Sequence, residues 1–418
     1  MRILLAQNMI HLPSHGGANK SNRILMEHLA AGGHEVHIVA PLSGALRTTR
    51  PGTTPPHGVR RLGTGLPGYT YRGVTVHTVA DPSLLARRVA DVAARLAPDW
   101  TLVPSDDPGL VMLGTALRAT PDRVVYLVHT LQQLPFGPGA FYPSAAGLRM
   151  VRRAAGAVAV SRAAQEYCRR HASLDLTLIY PHIYGEPTDP APPTPGPYVT
   201  MINPCGYKGL PIFLALADAC PDVSFLAVPT WGTTDRDRAG LARRPNITIV
   251  PPADDIDDVL SRTGVLLMPS LWDETFGYAC VEAMLRGVPV LASDVGGLAE
   301  AKLGVPYLLP VRPVERYEAA GHARPEPVLP EQDPAPWLAA LRRLLGDPRH
   351  HRDLAGRSRQ AARRFVAGLA EGALETYLTE LTPATLTGLT PVTAPPPDRR
   401  AALARLAAAR ARTKGTAS

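Results

Sequence analysis

The 418-residue chain is short of several residue types, and each shortage removes a class of protein. Its four cysteines, Cys168, Cys205, Cys220 and Cys280, have no close spacing that would make a metal site or a disulfide framework, so they read as reduced thiols. Aromatic residues are only 6% of the chain and are not interleaved with basic runs, which leaves nucleic-acid binding without its stacking platforms. No apolar run approaches the roughly 20 residues that a membrane-crossing helix requires. The apolar start at 3–6 is too short for a secretory signal, so a cytoplasmic location is expected. Lysine is scarce beside Ala, Arg, Pro and Gly, a usage that points to a GC-rich bacterial genome. With 44 basic against 36 acidic residues the net charge is +8, a mild basic excess compatible with an anionic nucleotide or with peripheral contact at an anionic membrane.

What is present is an alternation of short apolar runs and helical stretches that occurs twice. Runs at 3–6, 35–40, 74–79, 100–104, 124–128, 157–160 and 176–180 alternate with expected helices at 20–31, 83–96, 109–118 and 163–170. A second series, 198–202, 224–228, 247–250, 264–268, 288–292 and 307–309, alternates with helices at 210–219, 256–262, 298–303 and 337–345. Such alternation predicts an α/β protein of two Rossmann-like domains, and the length is too great for one small core. The expected divisions are a first domain at 1–185, a linker at 186–197 with six prolines in twelve residues, a second domain at 198–350, a helical segment at 351–382 and a basic tail at 383–418. One long helix is expected over 352–381, crossing back to the first domain. Residues 41–71 lack periodicity and read either as a loop over a binding cleft or as an inert insertion. The segment 229–244 is polar without an assigned element, and 312–334 reads as a Pro/Glu-rich insertion.

The most informative stretch runs from Pro269 to Met284, P-S-x-x-x-E-T-F-G-x-x-x-x-E-A-M, followed by Asp294-Val295-Gly296-Gly297. Pro269 ends a buried strand, and Thr275 and Gly277 suit a turn that opens a helix. This order places Glu274 and the backbone N–H groups of Thr275, Phe276 and Gly277 at the carboxyl edge of a parallel sheet, where open α/β sheets bind ligands. Free N–H groups there attract phosphate or sugar oxygens. Glu274 suits acceptance of hydrogen bonds from hydroxyls, and Glu282, further along the helix, suits a second diol. Lys208, before Gly209 at a helix start, fits a phosphate as a point charge, although taken alone it is an ordinary surface lysine. Gly16 and Gly17 mark either a plain turn or a close backbone approach, and they do not form a G-x-G-x-x-G fingerprint. His129 follows a buried strand directly and so stands at the same edge; a lone histidine is more often structural. None of the acidic pairs Asp106-Asp107, Asp254-Asp255 and Asp257-Asp258 has D-x-D spacing.

The E-x7-E pattern of Glu274 and Glu282 in this setting resembles the retaining glycosyltransferases of the GT-B fold, in glycosyltransferase family 4 (glycosyl transferases group 1). The resemblance implies two Rossmann-like domains facing across a cleft. It implies that Glu274 and His129 contact the donor sugar at the reaction centre, and that Glu282 contacts the ribose. Gly16, Gly17 and Lys208 then meet the diphosphate, with Thr275, Phe276 and Gly277 beside them. Relatives carry an Arg where this chain has Asn203, which puts full diphosphate clamping in question. The family pattern implies a nucleotide-diphospho-sugar donor, a small-molecule acceptor and neither a metal ion nor a cofactor. A secondary-metabolite acceptor fits the composition and loops; a lipid or sugar at a membrane surface is the other reading. An epimerase or phosphorylase on the same fold, and a non-catalytic nucleotide-sugar-binding partner, are the alternatives.

Overall fold

In the computed structural model, residues 1–14, 16–43, 58–62, 67–185, 195–318 and 325–383 are described. Most of the proline-rich linker and all but Pro383 of the basic tail therefore lie outside the described residues. Nine strands form the first sheet: β1 (Arg2–Ala6), β2 (Glu35–Pro41), β3 (Arg60–Arg61), β4 (Gly68–Tyr71), β5 (Val74–Val79), β6 (Trp100–Pro104), β7 (Val124–Val128), β8 (Gly156–Ala159) and β9 (Thr177–Leu178). Their order is 3-4-5-2-1-6-7-8-9, parallel except where β4 pairs with β3 and β5. The second sheet holds β10 (Tyr198–Ile202), β11 (Phe225–Val228), β12 (Ile247–Ile249), β13 (Thr263–Met268), β14 (Val290–Ser293) and β15 (Leu308–Leu309) in the order 12-11-10-13-14-15, all parallel. A small antiparallel pair, β16 (Tyr317–Glu318) and β17 (Glu326–Pro327), lies apart from both.

Central strands such as β7, Val-Val-Tyr-Leu-Val, are buried at every residue, as parallel strands covered on both faces must be. The first sheet carries α1 (Gly17–Ala31), α2 (Leu85–Leu96), α3 (Val111–Ala119), α4 (Ala145–Val151) and α5 (Arg162–Ala172). Helix α2 buries Leu85, Val89, Val92 and Leu96, one apolar stripe at helical spacing. The second sheet carries α6 (Leu210–Ala219), α7 (Asp235–Ala242), α8 (Asp257–Leu260), α9 (Tyr278–Leu285), α10 (Leu298–Ala301), α11 (Ala335–Gly346) and α12 (Pro348–Ala367). Helix α7 falls in the polar segment that carried no expected element. Its sequence signal is a capping box, in which Thr234 accepts from the Asp237 N–H and the Asp237 carboxylate accepts in return.

Two other expectations are corrected. Within 41–71, β3 and β4 extend the sheet as a hairpin, with Tyr69 and Tyr71 turned into the core. Four alternating residues are too few to register as a period. The helix expected over 352–381 is two: α12 stops at Ala367, and α13 (Ala373–Glu380) begins after Gly372, whose φ of 73° breaks the helical path. The break has a consequence for packing. Helix α12 lies against α9 and α11, whereas α13 returns to the first sheet, where Leu374 and Leu378 join Ile3, Leu5 and Trp100 in one core. The Trp100 indole N–H donates to the Leu378 carbonyl at 2.8 Å.

Because Leu378 is 1% exposed, Leu378→Ala is expected to lower the stability of the first unit by about 2–5 kcal/mol. Urea unfolding followed by tryptophan fluorescence checks this. A loss below about 0.5 kcal/mol, the scale of a neutral surface change, would mean that α13 is not docked there.

Candidate active site

The carboxyl edges of both sheets face one cavity of about 1090 Å³. The loops after β1, β5, β6 and β7 wall it on one side, and those after β10, β11 and β13 on the other. Glu274 is only 9% exposed. Its Oε1 accepts from Lys208 Nζ at 2.5 Å and from the Ser270 hydroxyl. Lys208 also sits over the Trp272 ring, 4.6 Å from its centroid. Glu282, 4% exposed on α9, is paired at 2.5 Å with Lys20 Nζ from α1. Burying a carboxylate is costly unless a cation or hydrogen bonds accompany it, and here each glutamate has one of the chain's four lysines.

Helices α1 and α9 both begin at a glycine in positive φ, Gly16 at 105° and Gly277 at 106°, and neither start has a side-chain cap. Both starts therefore keep N–H groups for another acceptor. They lie close together: a Cβ on Gly17 would come within 2.6 Å of the Tyr278 ring. The ring of Phe276 is in the core against Tyr180 and Phe365, so what Phe276 offers the cavity is backbone. Gly296 and Gly297 let their loop lie on this turn, since a Cβ on Gly297 would stand 2.4 Å from the Thr275 carbonyl oxygen. The Gly297 N–H donates to Glu274 O at 2.6 Å.

Asn203, 5% exposed, has a φ of 59°, a region that asparagine enters more readily than most side chains. Its Oδ1 accepts from Gly232 N at 3.0 Å, and its Nδ2 has no hydrogen-bond partner where it lines the cavity. His129 is 6% exposed and neither ring nitrogen has a partner; burial lowers its pKa to about 4, so the ring is neutral near pH 7. Ser105 Oγ accepts from the His129 and Thr130 N–H groups and fixes the backbone there. All ten residues singled out from the sequence thus line the one cavity. Among the described residues, no group of three or more His, Cys, Asp or Glu is placed to hold a metal ion.

Several contributors carried no legible signal. Lys20 is one; the scarcity of lysine was the available hint. Glu300 is another: its carboxylate accepts from Arg162 N and Ala163 N, both at 3.0 Å, and from the Tyr180 hydroxyl, so it caps α5 from the opposite domain. Ser161 Oγ donates to the Thr275 carbonyl at 2.5 Å, and Gln132 Nε2 to the Asp273 carbonyl at 2.9 Å. Phe141, Tyr207, Trp231, Trp272 and Tyr317 gather into one cluster from distant points in the chain, and Trp272 is the ring beneath Lys208.

Two parallel α/β units that share a cleft at their carboxyl edges define the GT-B class of architecture. The Glycosyltransferase Family 4 sequence model matches residues 15–183, and that of Glycosyl transferases group 1 matches residues 214–347. The chain belongs to this family of glycosyltransferases. It is 42% identical over 133 residues to a 2-deoxystreptamine glucosyltransferase of Streptomyces kanamyceticus, covering 30% of this chain and 33% of that protein. A 2-deoxystreptamine N-acetyl-D-glucosaminyltransferase of Streptomyces fradiae is 31% identical over 41% of this chain and 39% of its own. A D-inositol 3-phosphate glycosyltransferase of Nocardia farcinica is 33% identical over 33% of this chain and 27% of its own. The matches thus span between about a quarter and two fifths of these relatives' lengths. The fold is shared with Anabaena Alr3699/HepE, solved with UDP and glucose, at a TM-score of 0.62 and 20% identity over 91% of this chain and 100% of that one.

His129 carries a lowered pKa in the folded state, so the unfolded chain binds its proton more readily. Its contribution is whole above about pH 6.5 and falls as the pH drops toward about 4. His11 and His77, lowered to about 3 and about 4, act with the same sign. The melting temperature should therefore fall from pH 7.5 to 4.5, with a shallower slope in His129→Asn. An unchanged slope would show that folding does not lower the pKa of His129.

For the turn, Gly297→Ala is expected to destabilise by about 1–3 kcal/mol through overpacking against Thr275 and Phe276. Thermal melting checks it, and a neutral outcome would show that the turn yields freely.

Proposed function

We propose that the protein is a retaining glycosyltransferase that moves a sugar from a nucleotide-diphospho-sugar to a hydroxyl of a small polyhydroxylated acceptor. The observation that carries this reading is the meeting of two uncapped helix starts, Gly16–Gly17 and Gly277–Tyr278, beside the Lys208–Glu274 pair in one cavity. Helix starts with free N–H groups and a nearby lysine suit a diphosphate. The donor exchanges an internal ion pair for one contact with each member: its phosphates meet Lys208 and its sugar hydroxyls meet Glu274. Asn203 Nδ2 adds a donor where relatives carry an Arg, and Glu282 takes the ribose hydroxyls.

In the reaction the bond from the anomeric carbon to the diphosphate oxygen breaks as the acceptor oxygen bonds to the same face of that carbon. The departing phosphate accepts the acceptor's proton. Lys208 and the N–H groups offset the negative charge that grows on the leaving oxygen, a preorganised effect that needs no metal ion. Neutral His129 hydrogen-bonds to the sugar at the reaction centre. The acceptor side of the reading is supported by relatives named for 2-deoxystreptamine and D-inositol 3-phosphate, both cyclitols. The donor side is supported by the fold shared with a protein solved with UDP and glucose.

Thermal melting against UDP-, GDP-, TDP- and ADP-sugars tests the donor. One nucleotide class at 100 times its dissociation constant should add about 2.7 kcal/mol, and Glu282→Ala should abolish the gain. With that donor, Lys208→Ala should lower kcat by about 10²–10³, the scale of losing one charge-stabilising group. No shift with any of the four classes would sink the proposal.

A further inference from the structure

We infer that Lys20 is a phosphate-binding residue of the donor site: when the nucleotide-diphospho-sugar enters, the Lys20 ammonium leaves Glu282 and pairs with the diphosphate. The inference rests on the glycosyltransferase reading and adds to it a cation from the first domain. Among the described residues, Lys20 and Lys208 are the only lysines that line the cavity, and no arginine lines it. Each phosphate of a diphospho-sugar carries one negative charge, so Lys208 alone leaves one of them without a cation. Asn203 is 5% exposed and its Nδ2 lines the same cavity without a hydrogen-bond partner, but it is an uncharged donor. That orphaned N–H points to a ligand here, and the second matching charge has to come from Lys20.

Lys20 stands where a helix does not favour a cation. It is the fourth residue of α1, its N–H donates to the Gly16 carbonyl at 3.0 Å, and no acidic residue occupies the first turn. A lysine there adds positive charge to the positive end of the helix, a conflict that a bound anion removes. Side chains on a helix lean toward its amino end, so the Lys20 stem runs back over the open start of α1. Glu282, on the second turn of α9 (Tyr278–Leu285), leans in the same way over that helix's open start. Their pair at 2.5 Å therefore lies between the two starts that the approach of Gly17 to Tyr278 brings together. The Lys20 side chain is 21% exposed there, against 6% for Glu282, so the lysine is the member with room to turn.

The exchange strands neither charge. Glu282 gives up its lysine for the ribose hydroxyls, and a carboxylate that accepts several hydrogen bonds stays ionised. The ammonium, a compact charge on a flexible stem, gives up a carboxylate for a phosphate. Lys20 belongs to the first domain and Glu282 to the second, so the donor also replaces the tie between them. Ribose and diphosphate then bridge what the ion pair bridged.

The test compares UDP, GDP, TDP and ADP, each with its own nucleoside, by calorimetric titration of the wild-type protein and of Lys20→Gln. The glutamine amide still donates to Glu282 but carries no charge. For the base that binds, the wild-type affinity for the diphosphate should exceed that for the nucleoside by about a hundredfold or more, two charged contacts at about tenfold each. In Lys20→Gln that ratio should fall by about tenfold, while the nucleoside affinity stays within about threefold. An equal loss for nucleoside and diphosphate would mean that Lys20 only neutralises Glu282, and it would overturn the inference; so would an unchanged ratio. If Lys20→Gln does not fold, the wild-type ratio decides: about a hundredfold or more supports the inference, and less overturns it. Either reversal leaves the donor reading in place as long as one diphosphate binds. Failure of all four to bind the wild-type protein would remove the glycosyltransferase reading itself.

Discussion

The site depends on two carboxylates being kept charged inside a cleft. Glu274 and Glu282 are nearly out of solvent, and each is matched by a lysine that comes from elsewhere in the chain. The two pairs differ in kind. Lys208–Glu274 lies within the second domain and holds the turn before α9. Lys20–Glu282 runs from the first domain to the second and ties their helix starts together. Breaking a buried pair by removing one partner strands a charge, whereas a ligand that supplies both a diphosphate and hydroxyls substitutes for each partner at once. Lysine suits this exchange better than arginine: its ammonium is a compact charge on a flexible stem, free to turn from a carboxylate to a phosphate. In a chain with four lysines, placing two of them here is informative.

The domains meet through backbone as much as through side chains. Glu300 caps α5 from across the cleft, Ser161 both caps that helix and donates to the Thr275 carbonyl, and Gln132 reaches the Asp273 carbonyl. The Ser161 and Gln132 contacts converge on residues 273–277, and Glu300 joins the first domain from α10, just beyond Gly297. The orientation of Glu274 is therefore set by both domains. Helix α13 adds a longer-range restraint, because the chain leaves the second domain through α12 and ends on the first sheet beside Trp100.

Much of this was legible in the sequence because the parallel strands are buried on both faces and read as uninterrupted apolar runs. Strands at 100–104, 124–128 and 198–202 were placed to the residue for that reason. The E-x7-E stretch was legible because its spacing, glycines and preceding strand agree with one another. What failed to show was of two sorts. Elements of four to eight residues, such as β4 and α7, are too short for a period and are announced only by local chemistry, as in the Thr234–Asp237 box. Contacts at large separation, such as Lys20 with Glu282 or Glu300 with α5, have no local signature, since nothing within a turn of either residue requires its partner. The long helix expected near the carboxyl end failed for a third reason: its glycines are tolerated in a helical pattern until the packing on each side demands a change of direction.

The chemistry of the cleft follows from how helix starts are treated. Five helix starts described above approach or border it, and the chain answers each differently. Those of α1 and α9 are left open behind glycines, and a lysine stands near each. Those of α2 and α3 are preceded by turns whose N–H groups Asp81 and Asp107 take up, and α5 is capped by Ser161 and Glu300. The partial positive charge at a helix start is the same in every case; what differs is whether a carboxylate has already claimed it. An open start invites an anion, and a start occupied by a carboxylate repels one. His129, on the same lining, is a buried and uncharged ring near pH 7.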